Sequence, residues 1–315
     1  MARALSILLR TIVALVLLTA LGIVYLWWSN RDLPLATLEA EYGGNGLAWH
    51  QVDGVDIAYR VEGEGPPLVL LHSHFYTMRQ WQDWVDTLAS DFTLIRFDLT
   101  SHGLTGPDPS QDYSHERGAE LLEGLLDHLG IERAALAGSS TGGALAYRFA
   151  AENPARVGAL ILINAPGMPR TSNKYMEAGM PGWMGYVFYL LPERLFKPFL
   201  EAAVVDNTLI TDERVREFHR MYRREGNRWA EFLRMSEWSP HDIRPLLEKI
   251  TAPVLLLWGE DNPQLPVEHV EQYREQLFNA ARVDAITYPG IGHVIPIEAP
   301  VRSAEDTRAF LRSLK

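Results

Sequence analysis

The chain of 315 residues contains no cysteine. That removes disulfides, thiolate catalysis, lipidation at Cys and every metal site built on Cys ligands. It also lacks an excess of positive charge, because 29 Lys and Arg face 40 Asp and Glu for a formal net charge of −11. Nucleic-acid binding needs a basic face, so no nucleic-acid partner is expected. No H-E-x-x-H, P-loop or G-x-G-x-x-G turn occurs, so no metal and no cofactor are expected. His72-Ser73-His74 opens like an H-x-H-x-D metal motif, but Tyr76 stands where the Asp belongs. Internal repeats and low-complexity tracts are missing too. What remains is ordinary globular composition, 47% hydrophobic and 22% charged, at a length that suits one α/β domain with an insertion.

Charge is also missing from one long run. Residues 11–28 read TIVALVLLTALGIVYLWW. As a helix this run spans roughly 27 Å, close to the hydrocarbon thickness of a bilayer. Arg3 and Arg10 precede it, which holds the N-terminus in the cytoplasm, and Trp27 and Trp28 end it where an aromatic belt sits. Residues 1–28 therefore read as a single-pass signal anchor and 29–46 as a linker with the turn cluster Gly43-Gly44-Asn45-Gly46. Residues 47–315 would form the main domain, on the periplasmic or extracytoplasmic side. The competing reading is a cleaved signal peptide with a small-residue site at Ala20-Leu21-Gly22, although the apolar run continues past it to Trp28.

After Trp49 the pattern alternates. WHQV and VDIAYRV flank Asp53-Gly54, which suits a tight hairpin turn. Uniformly apolar strands follow at 68–71, 92–99, 134–140 and 157–166, with helical periodicity at 80–90, 116–129 and 144–152. Strands apolar on both faces, alternating with helices, imply a mostly parallel sheet covered on both sides. The alternation stops at about 170–247, a helical stretch rich in aromatics and Arg, and resumes with strands near 252–260 and 281–290 and a helix at 301–314. The fold class is thus α/β with a helical cap insertion.

Gly138-Ser139-Ser140-Thr141-Gly142 is a G-x-S-x-G between a strand and a helix. Small residues allow the sharp turn that exposes a nucleophilic Ser140, and the helix dipole favours negative charge there. A serine needs a base to take its proton. His293, in a glycine-rich loop after the last strand, has the required place in the chain order serine, acid, histidine.

These residues carry a resemblance. LLHS at 70–73, FDLTSHGLT at 97–105, GSSTGG at 138–143, APVLLLWGED at 252–261 and PGIGHVIPIEAP at 289–300 occur together and in order. Over residues 49–314 the chain resembles the α/β-hydrolase superfamily, in the branch with a helical cap. The resemblance implies that fold, the Ser140 nucleophile, the His293 base and an oxyanion hole from the backbone amides of His74 and Thr141. Members with a dehalogenase or epoxide-hydrolase chemistry use an aspartate nucleophile, against which Ser140 stands.

Three departures from the family pattern qualify this. His72-Ser73 replaces the usual His-Gly, and Thr100-Ser101 replace a common Arg-Gly, in a loop where Asp98 and His102 read as structural. The family acid position, the fourth from Gly259, is Asn262 rather than Asp. Either Asp261 serves as a shifted acid or Asn262 orients His293 through its amide oxygen. Asn164, after the preceding strand, offers no carboxylate. In the cap, Trp183 and Tyr186 are expected in an apolar wall over Ser140. Arg214, Arg216, Arg220, Arg223, Arg224, Arg228 and Arg234 alternate with Glu213, Glu217, Glu225 and Glu231, which reads as a solvated helix face, or alternatively as a surface for anionic lipid headgroups. The expected activity is hydrolysis of apolar or lipid-like carboxylic esters, small-molecule substrates, through an acyl-enzyme. The alternative is a catalytically weak hydrolase-fold protein that binds a ligand or partner in the cell envelope.

Overall fold

The computed structural model describes residues 2–168, 180–237 and 242–314. Within the expected cap, positions 170–179 and 238–241 lie outside the described residues. Among the described residues, strands β1 (Ala48–Val52), β2 (Val55–Glu62), β3 (Pro67–Leu71), β4 (Thr93–Phe97), β5 (Ala134–Ser139), β6 (Val157–Ile163), β7 (Val254–Gly259) and β8 (Val283–Tyr288) form one sheet. Their order is β1-β2-β4-β3-β5-β6-β7-β8. Only the pairings of β2 with β1 and β4 are antiparallel. The β1–β2 turn has positive φ at both Asp53 (46°) and Gly54 (85°), the conformation a two-residue hairpin requires.

The alternation of side chains explains why these strands are apolar throughout. Leu68, Leu70, Leu255 and Leu257 point to one face, where Trp81, Trp84, Leu88 and Phe310 cover them. Val69, Leu71, Leu256 and Trp258 point to the other, under helices His115–His128 and Thr141–Glu152. A strand buried on both faces cannot keep a polar alternate position.

Strand β3 lies between β4 and β5, so the chain leaves β3 in one direction and returns on its other side with β5. The carboxyl ends of β3 and β5 therefore border a topological switch point, the crevice where open α/β sheets place their ligands.

The described part of the stretch expected as a cap is helical, and includes Phe196–Glu201, Asp212–Tyr222 and Asn227–Glu237. Phe196, Leu200, Val215 and Phe218 pack with Val294 and Ile297 beside the last loop of the domain.

Helix Ala2–Ser29 is long and apolar enough to cross a membrane. The segment that follows it, read from sequence as a linker, packs against the described helices of the expected cap. Leu38 is fully buried with Ala58, Met78, Leu104 and Met221. Arg228, only 1% exposed, binds Asp32 Oδ1 at 2.6 and 3.0 Å and the Asn30 carbonyl at 2.6 Å, and stacks over Tyr189. Arg223 donates to the Arg31 carbonyl at 2.7 Å, Leu33 N–H donates to the Arg223 carbonyl at 2.7 Å, and Arg220 pairs with Glu41. Three arginines of the cluster expected to be a solvated face thus grip residues 30–41.

Candidate active site

Ser140 follows β5 in a strained left-handed conformation, φ 51° and ψ −118°. Its neighbours must be small for backbone reasons. A Cβ on Gly138 would lie 2.2 Å from the Gly142 carbonyl oxygen, and one on Gly142 would lie 2.2 Å from that of Leu71. No side chain fits at such distances, so the glycines let the turn close against β3. The strain is held by the sheet, since Ser140 N–H donates to the Ile163 carbonyl at 2.9 Å.

His293 Nε2 lies 2.9 Å from Ser140 Oγ. The ring is buried, and its loop is braced at several points. His293 N–H donates to the Ala203 carbonyl at 2.8 Å. The Asn164 amide donates to the carbonyls of His293 (2.8 Å) and Gly292 (3.2 Å). The Glu298 carboxylate accepts from the N–H groups of Gly292, Val294 and Val205 at 2.8–3.0 Å. Asn164 therefore supports the histidine loop rather than its imidazole. Glu298 was missed from sequence, because its role becomes visible only when three amides converge on it.

On the far side of the ring, Asn262 Oδ1 lies 3.2 Å from His293 Nδ1. The same oxygen accepts from the N–H groups of Gln264 (2.9 Å) and Leu265 (3.1 Å), which fixes the amide with its oxygen toward the ring. Asn262 Nδ2 is buried without a hydrogen-bond partner. Asp261, the other acid candidate, is directed elsewhere: its carboxylate accepts from Gly290 N–H at 2.8 Å in an exposed turn. The shift that would have brought Asp261 to the imidazole is not seen, because its own N–H is tied to the Ile291 carbonyl.

The first departure, Ser73, is built into a polar network. Ser73 Oγ donates to Ser139 Oγ at 2.9 Å, and Ser73 N–H donates to Gln80 Oε1 at 2.9 Å. Gln80, invisible as a site residue in the sequence, thereby pins the loop after β3. His72 Nε2 accepts from Leu99 N–H at 2.9 Å, and burial pushes its pKa down to about 4, so it is a neutral structural group. Asp98 accepts from the N–H groups of Met78 and Leu104, both at 2.7 Å, which makes it a loop-holding carboxylate.

Ser140, His293, His74 and Thr141 line one cleft of about 250 Å³ with Phe199 and Leu265. A second chamber of about 350 Å³ shares His115, Thr141 and Arg234 with it. Thr141 opens the helix Thr141–Glu152, where an N–H has no partner within the helix. Trp183 and Tyr186 are not in this wall. They are 66% and 69% exposed, and Tyr186 lines a groove with Ile23, Val24 and Trp27 of the N-terminal helix. The short helix Met184–Val187 carries them to the anchor side of the cap.

His74, His102 and Glu231 each place a potential ligand atom within 4.8 Å of the others. Arg234 already takes both carboxylate oxygens of Glu231, at 2.8 and 2.9 Å. A divalent cation there would face a guanidinium, which argues against a metal site.

Comparison with known proteins agrees with this architecture. Residues 66–300 match the family model described as alpha/beta hydrolase fold. The chain is 29% identical over 223 residues to a 2-hydroxy-6-oxo-6-phenylhexa-2,4-dienoate hydrolase of Comamonas testosteroni, covering 68% of this chain and 77% of that one. It is also 29% identical over 283 residues to a dihydrolipoyllysine-residue acetyltransferase component of the acetoin cleaving system of Pseudomonas putida, covering 88% of this chain and 70% of that one. Among solved structures, a membrane phospholipase A described as a bacterial virulence factor superposes with a TM-score of 0.68 at 27% identity, covering 97% of this chain and 98% of that one. The family match spans strands β3 to β8, the serine turn and the histidine loop, and the chain belongs to the α/β hydrolase fold family.

Proposed function

We propose that the protein is a membrane-anchored serine hydrolase of carboxylic esters with apolar or lipid-like acyl chains. The observation that carries this reading is the 2.9 Å approach of Ser140 Oγ to His293 Nε2 at the switch-point crevice. Ser140 Oγ attacks the ester carbonyl carbon while its proton passes to His293 Nε2. The amides of His74 and Thr141 receive the charge on the carbonyl oxygen. The C–O bond to the alcohol breaks, and the leaving oxygen takes the proton from His293. Water then attacks the acyl-enzyme with His293 again as base, releasing the carboxylic acid and restoring Ser140. The cleft and the adjoining chamber offer room for the acyl and alcohol parts on either side of the serine. The likeness to a membrane phospholipase A over nearly the whole chain, including the N-terminal helix, supports a lipid-like substrate.

A fluorophosphonate probe tests the nucleophile, because it reacts rapidly only with a serine that has a working base and oxyanion hole. The full-length protein in detergent is expected to label within minutes, and Ser140→Ala to lose the label completely. Equal labelling of both would rule out Ser140. The absence of labelling in folded native protein would favour the ligand-binding reading, for which the neutral Asn262 is the motivating feature.

We also place the N-terminus in the cytoplasm and the catalytic domain across the membrane, on the strength of Arg3 and Arg10 before the apolar helix. Tyr186, exposed in the groove with Trp27, and the exposed Trp183 suit the interfacial region of the same membrane face. The protein is expected to stay in the membrane pellet through alkaline carbonate extraction. Release into the supernatant, with a mature chain starting near Ile23, would instead establish a cleaved leader.

A further inference from the structure

Glu231 lies on the cap helix Asn227–Glu237 with its side chain 2% exposed. Its Oε1 is 2.5 Å from His74 Nε2. Arg234, one turn further on, binds both of its oxygens and also touches His74 Nε2. His102 Nε2 stands 4.0 Å from Oε2. Burial alone would raise the Glu231 pKa, but Arg234 and His74 outweigh it and hold the carboxyl well below its usual range. A fully buried carboxylate paired with a guanidinium is costly to keep, so what it holds in place is informative.

His74 and Arg234 line the catalytic cleft, whereas Glu231 stands behind them. His74 belongs to the loop after β3 whose amide is assigned to the oxyanion. The core end of that loop is fixed by Gln80 and Ser139 through Ser73. Its far end turns at Phe75, which has a strained φ of 67° and stacks on the His74 ring at 3.6 Å. Between these points the contact that fixes His74 comes from the cap. We propose that Glu231 is a positioning residue for the oxyanion hole: by holding the His74 imidazole it sets the His74 peptide, so that the hole is complete only when the cap is seated. This rests on the serine-hydrolase reading. It also accounts for the histidine that follows the Ser73 departure, because an imidazole at this position gives the cap something to hold.

The test uses the full-length protein in detergent, with functional sites counted by fluorophosphonate titration and kinetics measured on p-nitrophenyl butyrate. Deleting an oxyanion donor outright costs about 10²–10³ in kcat, so a donor that is displaced is expected to cost about 10–100-fold. Glu231→Gln should therefore lower kcat per titrated site by that factor, with KM changed less than about threefold, a split that general destabilisation does not produce. His74→Ala should behave alike. If Glu231 acts through His74, the double variant will be no slower than the slower single one. A kcat within twofold of native in Glu231→Gln, or losses that multiply in the double variant, would overturn the proposal. Should Glu231→Gln not fold, His74→Phe preserves the stack on Phe75 while removing the hydrogen bond, and an unaltered kcat there overturns it as well. Failure of the underlying reading shows itself differently, as absent labelling of the native protein, and takes this inference with it.

Discussion

His293→Ala is expected to slow ester hydrolysis by about 10³–10⁴-fold in kcat, with little change in KM. Removal of the base from a full triad costs about 10⁶, since serine, histidine and carboxylate act as a unit. Here the third member is an amide. The native enzyme is therefore expected to start from a lower rate, and the histidine has less to lose. The oxyanion amides remain after the substitution and sustain the residual activity. Steady-state kinetics on an activated ester, with sites titrated in parallel, measure the drop. A loss below about tenfold would mean that the 2.9 Å contact with Ser140 Oγ is not the route of the proton.

Asn262→Asp is expected to raise kcat by about 10²–10³-fold. In serine proteases, changing the triad Asp to Asn costs about 10⁴, mainly because the amide selects the wrong tautomer. That component is absent here, because Asn262 presents its oxygen to His293 Nδ1 and two backbone N–H groups hold it so. Only the charge is missing. Two unit charges about 4 Å apart attract by roughly 4 kcal/mol at an effective dielectric of 20, and each 1.4 kcal/mol is tenfold in rate. Part of that attraction is offset by burying the carboxylate. The oxygen that replaces the Nδ2 atom brings charge into a buried position, so the variant should be faster but melt at a lower temperature. Because an aspartate here works only through the imidazole, adding His293→Ala to this variant should cost about 10⁵–10⁶ rather than 10³–10⁴. A rate within threefold of native in Asn262→Asp would instead show that the cleft does not use a charge at this position.

Much of the sheet could be read from sequence because burial on two faces leaves a plain mark: a strand such as LLLW can be nothing else when Leu255 and Leu256 must both be dry. The tight turn at Ser140 was legible for a similar reason, since Gly138 and Gly142 are imposed by backbone contacts of 2.2 Å and not by choice of side chain. The acid position was narrowed to two residues but not decided. Asp261 and Asn262 are adjacent, and their separation into an exposed turn and a buried contact depends on where Gly290 and Leu265 fall in space. Gln80 and Glu298 left no mark, and Glu231, read as part of a solvated helix face, is buried instead. Gln80 and Glu298 act on backbone groups of the loops beside them, and Glu231 on a histidine 157 residues away, and a polar residue on a helix looks the same whether it meets water or a loop. The cap residues misled for the converse reason. Trp183 and Tyr186 have the composition of a pocket wall, but aromatic side chains are equally suited to a boundary between lipid and water.

The grip of Arg220, Arg223 and Arg228 on residues 30–41 changes where the molecule can be divided. These residues complete the fold of the cap, so a soluble form that begins after Gly46 would expose an unpaired buried guanidinium and a vacated site beside Met221. The serviceable cut lies between Trp28 and Asn30. The same grip makes the apolar helix a handle rather than a leash: its end is joined to the helices of Arg220, Arg223 and Arg228 by fixed contacts and not by a slack tether.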